Sequence, residues 1–285
     1  IMESSGVASY DALFGPHTDS SLSFAYNDIS FYDGITNGWS LTTDRKFRDP
    51  SAWYHIVATC DTTNAEEGDR VRLYVNGVRE TSFSAETYPT QDLEGNFNND
   101  VPHNVGSDNN TGYWFDGYLA EVNFIDGLAL EPGSFGETDE DTNQWKPIEY
   151  SGSYGTTGFY LKFQDSSDFG DDSSGNGNDF SVTNIVATDQ FLDTPTNNFP
   201  TLNPLNIPTS RGPTINEGNL KTYIQDLSGA GPYFGGNSTM ALPSSGKWYY
   251  EALNMAYGAA CIGITSNQTK MADENNGPSS DGYCY

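Results

Sequence analysis

Short segments in which apolar and polar residues alternate recur along the chain, and Gly, Asn, Asp, Ser and Pro separate them. No helical period is sustained over three turns, whereas alternation puts every second side chain on one face, as in a half-buried β-strand. In RVRLYVNGVRE, the apolar side chains of Val71, Leu73 and Val75 share one face. Asn76-Gly77 then supplies the two positive-φ residues of a type I′ turn. We therefore predict an all-β chain with a hairpin at this point.

Two later segments repeat the alternation. The segment GYLAEVNFIDGLAL, residues 117–130, carries apolar side chains on one face and a turn signal at Asp126-Gly127. That face consists of Tyr118, Ala120, Val122 and Phe124. The segment GFYLKFQ, residues 158–164, is expected to turn Phe159, Leu161 and Phe163 inward. Strands of this length and spacing predict an antiparallel two-sheet sandwich.

The composition changes at residues 195–216, where five prolines remove hydrogen-bond donors and restrict the residues before them. They are Pro195, Pro200, Pro204, Pro208 and Pro213. We predict a first domain at residues 1–194, a Pro-rich linker at 195–216 and a second domain at 217–285, in which SSGKWYYEALNM and AACIGITS form strands. Both ends of the sequence lie inside predicted domains. We therefore expect an excerpt of a longer polypeptide, with a truncated first domain and an incomplete second one.

The charge balance narrows the choice of partners. Lys and Arg number 12 and Asp and Glu number 39, which gives a net charge of −27. Such a chain repels phosphate backbones and anionic membranes, so nucleic acid is not an expected partner. No apolar run approaches the ~20 residues of a spanning helix, and membrane insertion is not expected. Cys60, Cys261 and Cys284 are too few for a disulfide framework, although Cys261 and Cys284 have the option of pairing.

An acidic run at residues 165–179 is the candidate metal site. It crowds five carboxylates and two amides into fifteen residues. The candidate ligands are Asp165, Asp168, Asp171, Asp172, Asn176 and Asp179. Hard oxygen ligands suit Ca²⁺, so calcium is the one cofactor that the sequence suggests. The run departs from the D-x-[DN]-x-[DN]-G loop, and the alternative is an Asx-rich turn whose side chains cap their own backbone.

Aromatic residues among turn residues are the candidates for a binding surface. Trp39 lies in NGWS, and Tyr113 and Trp114 lie in NNTGYWFDG beside Asn109 and Asn110. Aromatic rings stack on sugar faces while amides hold hydroxyl groups, so these five residues are the candidate glycan-binding residues. Burial in a core is the alternative for each ring.

Four motifs resemble one family. They are AWYHIVATCDTTNAEEGDRVRLYVNGVRE at 52–80, DGYLAEVNFIDGLAL at 116–130, FGETDEDTNQWKPIEYSGSYGTTGFYLKF at 135–163 and FLDTPTNNFPTLNPLN at 191–206. Over residues 1–206 the chain resembles the concanavalin A-like, laminin-G-like domains of virion proteins from tailed bacteriophages, marine phages included. Beyond the linker, W-Y-Y-E followed by I-G-I resembles the opening of a SPRY-like sandwich. The resemblance implies a jelly-roll sandwich followed by a second, incomplete β-sandwich.

The same resemblance implies a non-enzymatic structural or adhesive protein on the virion, of the tail-fibre or decoration type. Its implied partners are other virion proteins and a host-surface polysaccharide or receptor. A homotrimer is the assembly expected from how phage fibres are generally built. The alternatives are a purely structural virion protein, which contacts other capsid or tail chains, and a bacterial cell-surface adhesin.

A glycan-degrading enzyme on the same sandwich is the enzymatic alternative. One such class carries its two catalytic carboxylates on one strand as E-x-D-x-x-E. Here the corresponding run begins at Glu121, has Asn123 in place of the central acid and ends at Asp126, which opens a turn. Without the paired acid a retaining mechanism lacks its proton donor. We therefore predict no catalytic activity.

The histidines and serines add no catalytic motif. His17, His55 and His103 are scattered, without the spacing of zinc ligands, and no G-x-S-x-G elbow occurs. His55 lies within a predicted strand, so a structural hydrogen bond is the expected role of its side chain.

Overall fold

The computed structural model describes residues 10–16, 18–49, 52–108, 112–140, 143–197, 199–204, 214–223, 236–240, 242, 245–253, 263–265 and 282–284. The all-β class is confirmed, because these residues form antiparallel strands and three short 3-10 helices. The strands are β1 (Tyr10–Pro16), β2 (Ser20–Ala25), β3 (Asp28–Asp33), β4 (Trp39–Thr43), β5 (Ile56–Cys60), β6 (Val71–Val75), β7 (Val78–Arg79), β8 (Phe83–Thr87), β9 (His103–Val105), β10 (Val122–Phe124), β11 (Gly136–Thr138), β12 (Trp145–Pro147), β13 (Phe159–Leu161), β14 (Thr214–Asn216), β15 (Lys221–Tyr223), β16 (Gly263–Thr265) and β17 (Gly282–Cys284). The 3-10 helices are Glu67–Asp69, Pro132–Ser134 and Ala187–Asp189. None of the described helices has the length and apolar character needed to cross a membrane.

The chain divides into two compact units, Ile1–Asn198 and Phe199–Tyr285. The division falls within the Pro-rich stretch at residues 195–216. All the candidate binding and metal residues named above belong to the first unit.

Two sheets enclose the main core of the first unit. Six strands form the larger sheet in the order β8-β4-β3-β2-β1-β9, and β5-β6-β7 form a three-stranded sheet. Phe24 of β2 and Ile29 of β3 pack in one buried cluster with Leu73 and Val75 of β6. The two sheets therefore face each other across an apolar layer, in the arrangement of a β-sandwich.

The predicted hairpin is confirmed between β6 and β7. Val71, Leu73 and Val75 are all buried. Asn76 has a φ of 50° and Gly77 a φ of 78°, as a type I′ turn requires. The short turn returns the chain directly onto β6, so β7 becomes the edge of the three-stranded sheet.

A second group of aromatic rings extends the core beyond the three-stranded sheet. Phe14 of β1 lies 5.4 Å from Phe124 of β10 between ring centroids, and Phe124 stacks on Phe159 of β13 at 5.5 Å. Phe180 meets Phe159 edge-on at 4.7 Å. These contacts dock the β10–β13 pair beside β1.

Two predicted strands are shorter than the alternation indicates. Glu121 has a φ of 56°, and β10 begins only after it. Phe163 has a φ of 54°, so β13 ends before this residue and the inward direction predicted for it does not follow from a strand. A left-handed residue interrupts the pleat, and an apolar pattern alone does not reveal it.

A buried carboxylate holds a loop over the end of the larger sheet. Asp33 accepts hydrogen bonds from the backbone N–H of Asn96 at 2.7 Å and from its side-chain amide at 2.9 Å. The bonds place Phe97 against Phe31 and Trp39, with ring centroids 5.1 and 5.9 Å apart. The loop closes this end of the core, and it buries Trp39.

The second unit contains two short antiparallel pairs, β14–β15 and β16–β17, among its described residues. The strand predicted from SSGKWYYEALNM is wrong for its described part, because residues 245–253 form no strand there. The side chains of Trp248, Tyr249 and Leu253 are exposed. Among the described residues no strand pairs with residues 245–253, and alternation alone does not make a strand.

Candidate functional site

The segment at residues 112–116 lies along one edge of the six-stranded sheet. β9 pairs with the second half of β1, and this segment takes over beside the first half. The N–H of Ala12 donates to the carbonyl of Tyr113 at 3.0 Å, and the N–H of Phe115 donates to the carbonyl of Gly106 at 2.9 Å. Phe115 points inward and stacks on Phe24 at 6.3 Å. Backbone bonds and a core anchor therefore fix the position of the segment.

Three rings lie exposed at this edge, and we call Tyr10, Tyr113 and Trp114 the aromatic platform. Their exposed fractions are 44, 49 and 51%. Tyr10 and Tyr113 meet edge to face with centroids 5.9 Å apart. Tyr113 has a φ of 53°, a left-handed conformation that is rare for a bulky residue. Local strain of this kind is often found at binding sites, where the surrounding bonds sustain it.

Two carboxyl groups lie at the same end of β1. Asp11 follows Tyr10, and because side chains alternate along a strand, it points to the opposite face of the sheet. Burial raises the pKa of Asp11, and the nearby charge of Asp116 raises it further. The two acids therefore contribute a negative potential around the platform, Asp11 from the opposite face of the sheet.

The five predicted glycan-binding residues differ in their outcome. Tyr113 and Trp114 are half-exposed, as a stacking surface requires. The prediction for Trp39 is wrong, because the ring is 1% exposed and packs against Phe31 and Phe97. Asn109 and Asn110 lie outside the described residues. The sequence did not indicate Tyr10 as a site residue, because its place beside Tyr113 depends on a backbone hydrogen bond between two distant segments.

The first half of the acidic run consists of side chains that cap the backbone locally. Each carboxylate accepts a hydrogen bond from the residue two positions further on: Asp165 from Ser167, Asp168 from Gly170 and Asp171 from Ser173. The bonds from Ser167 lower the pKa of Asp165. The contacts from the backbone N–H groups of Ser167 and Gly170 are those of Asx turns, whereas Ser173 donates its side-chain hydroxyl.

The second half of the run holds the loop to β13. Asp172 is buried and accepts a hydrogen bond from the N–H of Tyr160 at 2.8 Å. Its own N–H donates to Asp179 at 3.0 Å, and the amide of Asn176 donates to the carbonyl of Gly158 at 2.8 Å. Within the described part of the chain, no three acidic, His or Cys side chains converge as metal ligands. The contacts are those of the Asx-rich alternative, and calcium binding stays a prediction.

The carboxylates of the run at 121–126 have separate roles. Asp126 accepts hydrogen bonds from the N–H of Thr156 at 2.9 Å and from the amide of Asn98 at 2.8 Å. These bonds lower the pKa of Asp126, that from Thr156 most. Burial raises the pKa of Glu121, against the opposing charge of Lys162. Asp126 therefore ties two loops to the end of β10.

A histidine-tryptophan pair joins the β11–β12 hairpin to the three-stranded sheet. The indole N–H of Trp145 donates to Nδ1 of His55 at 2.9 Å, which confirms a structural hydrogen bond for His55. Burial lowers the pKa of His55 to about 4. A Cβ atom at Gly77 or Gly136 would collide with the Trp145 ring. The ring therefore packs between two glycine backbones, and His55 must be neutral to accept its hydrogen bond.

A surface pocket of about 360 Å³ lies at the side of the sandwich where β7 and β8 are edge strands. Its lining includes Asp69, Glu80 and Glu86. Arg79, also in the lining, donates to Asp69 at 2.7 Å. The lining comes from two separate segments, residues 66–69 and 79–88, so no local sequence signal indicated the pocket.

Comparison with known proteins gives one match. No curated protein and no solved structure matches the chain. The match is to a family model and covers β1 to β10 with the whole aromatic platform. Residues 4–132 match the model of the concanavalin A-like lectin/glucanases superfamily, so this part of the chain is similar to the domains of that superfamily.

Proposed function

We propose that the first unit binds carbohydrate at the aromatic platform. The observation that carries this proposal is the pair of half-exposed rings, Tyr113 and Trp114, on a segment hydrogen-bonded to β1 and to Gly106 just after β9. The similarity to a superfamily of lectins and glucanases supports the same ligand class. An exposed ring offers its flat face to the C–H groups of a sugar, and a fixed backbone reduces the entropy lost on binding.

The shape of the platform suits an extended glycan. Rings at the rim of a sheet can contact a chain that runs past them, whereas an enclosed pocket selects a small free sugar. Each contact then contributes modestly, and several copies of the domain on one assembly would raise the overall avidity. A trimeric assembly would supply such copies.

The binding role is proposed without catalysis. Asp126 is engaged by the backbone of Thr156 and the side chain of Asn98, so it is held as an ionised turn cap. Glu121 lacks the partner acid at the third position of the E-x-D-x-x-E pattern, where Asn123 stands, and the sixth position is the turn residue Asp126. Sugar release from bound polysaccharide should equal that of a Glu121→Gln variant. Release by the native protein that this variant loses would contradict the proposal.

A virion location is proposed on the sequence resemblance to tailed-phage proteins. In that setting the chain belongs to a tail fibre or decoration, contacts other virion proteins and meets a host-surface polysaccharide or receptor. Antibodies to the purified chain should label intact particles of a phage that encodes it. Label confined to the bacterial envelope would instead indicate a cell-surface adhesin.

A panel of bacterial surface polysaccharides and whole cells tests the carbohydrate proposal. The native protein is compared with Trp114→Ala and with Trp248→Ala, which removes an exposed Trp of the second unit. We expect saturable binding that only Trp114→Ala abolishes. Equal binding by all three proteins, or none by the folded native protein, would refute the proposal. Repeating the series with EDTA tests the calcium prediction separately.

A further inference from the structure

The segments that build the aromatic platform contain no Lys or Arg side chain. Residues 1–44 and residues 80–145 lack both Lys and Arg. Tyr10 lies in the first of these stretches, and Tyr113 and Trp114 lie in the second. No guanidinium or Lys ammonium group of the platform's own segments could therefore meet a carboxylate or sulfate group on a bound glycan.

The basic residues elsewhere in the first unit are engaged, with Arg48 as the exception among the described residues. The ion pairs are Arg45–Glu80, Lys46–Asp28, Arg72–Glu131, Arg79–Asp69, Lys146 with Glu137 and Asp139, and Lys162–Glu149. Arg70 donates to the backbone carbonyls of Asn64, Ala65 and Pro89. Apart from Arg48, each of these cations would have to give up an existing bond to meet an anionic ligand.

The charged side chains nearest in sequence to the platform rings are acidic. Asp11 adjoins Tyr10, and Asp116 is two residues beyond Trp114. The negative charge of Asp116 raises the pKa of Asp11, so the two carboxyl groups lie near each other at the end of β1 that carries the rings. In dilute buffer the field of a surface charge extends about 10 Å or more before salt screens it.

We propose that the platform selects glycans with free amino groups over neutral glycans, and neutral glycans over anionic ones. This proposal rests on carbohydrate binding at the platform, as proposed above. An ammonium group is attracted to the face of an aromatic ring as well as to carboxylates. Amino groups on a stacked sugar would therefore gain from the rings and from the acids together.

Coulomb's law gives the size of the preference. One ammonium group at roughly 8 Å from one carboxylate in water gains about two- to threefold in affinity. Two carboxylates at that distance give about fivefold, and an anionic sugar loses a similar factor. Added salt should remove most of the difference, because the charges lie near the surface.

Three oligosaccharides of equal length test the proposal by calorimetry at low and high salt. They are a glucosamine oligomer, its N-acetylated counterpart and a uronic acid oligomer. We expect affinities in that order at low salt, with about fivefold between neighbours, and convergence at high salt. An Asp116→Asn variant should reduce the amino preference about twofold and leave the affinity for the acetylated oligomer unchanged.

A Trp114→Ala variant controls for non-specific attraction of a polycation to an acidic protein, because it leaves every charge in place. If the affinity of the glucosamine oligomer for this variant equals its affinity for the native protein, the proposed selectivity for amino groups is overturned. Equal affinity of the native protein for the amino and acetylated oligomers also overturns it, while carbohydrate binding stands. Failure of all three to bind overturns both proposals.

Discussion

Replacing His55 by Asn should remove much of the acid sensitivity of the first unit. His55 lies just before β5, and its Nδ1 accepts the indole hydrogen bond of Trp145. The carbonyl oxygen of an Asn side chain can occupy a position near that of Nδ1 and accept the same bond, but it does not titrate. The substitution therefore separates the packing of Trp145 from the protonation of His55.

The size of the effect follows from the pKa of His55, which burial lowers from 6.5 to about 4. A histidine held neutral in the folded state stabilises it fully above pH 6.5, and this contribution is lost as the pH falls towards 4. Each pKa unit corresponds to about 1.4 kcal/mol, so the full loss is about 3 kcal/mol. Of this, about 2 kcal/mol is lost between pH 7 and pH 5.

Urea denaturation near pH 7 and near pH 5 measures this loss. His103, whose pKa burial also lowers, adds a change of the same sign, so the quantity of interest is the difference between native protein and His55→Asn. We expect the native protein to lose about 2 kcal/mol more than the variant over this interval. Equal losses in the two proteins would refute a neutral, buried His55.

Three further substitutions test separate parts of the structure. Gly77→Ala should cost about 3 kcal/mol in urea denaturation, because the new methyl group meets Trp145 and the backbone keeps a positive φ; a cost below about 1 kcal/mol would contradict this packing. Asp33→Ala should cost about 4 kcal/mol, because both N–H donors of Asn96 lose a buried charged acceptor; an unchanged transition midpoint would contradict it. Tyr113→Gly should change the free energy of unfolding by less than about 1 kcal/mol, since relief of strain offsets the lost ring contact, yet abolish glycan binding. Retained binding would exclude the Tyr113 ring from the site.

Local patterns in the sequence predicted the features that depend on neighbouring residues. The Asn76-Gly77 turn and the buried face of Val71 and Leu73 follow from two-residue periodicity and from turn chemistry, and both are confirmed. The all-β class follows from the same alternation repeated along the chain.

Patterns in the sequence did not predict the features that depend on contacts between distant residues. Trp39 and Trp114 both stand among turn residues. Hydrogen bonds to Asp33 hold a remote loop over Trp39, whereas the side chain of Trp114 is 51% exposed. Tyr10 joins the candidate site only because a segment about a hundred residues later hydrogen-bonds to Ala12. Such tertiary contacts determine exposure. A turn-rich motif therefore does not predict whether its aromatic residue is buried in the core or exposed at the surface.

The five tryptophan indoles offer the most direct test of carbohydrate binding at the platform. Their environments differ, because Trp39 is buried, Trp114 is exposed, and the other three indoles donate to Asp193, His55 and the carbonyl of Ser245. We would record ¹⁵N-indole NMR spectra during titration with the tightest-binding oligosaccharide, using Trp114→Phe to assign the Trp114 signal. We expect a saturable shift of the Trp114 signal, with those of Trp39 and Trp145 unmoved. A shift confined to any other indole, or no shift at saturation, would contradict it.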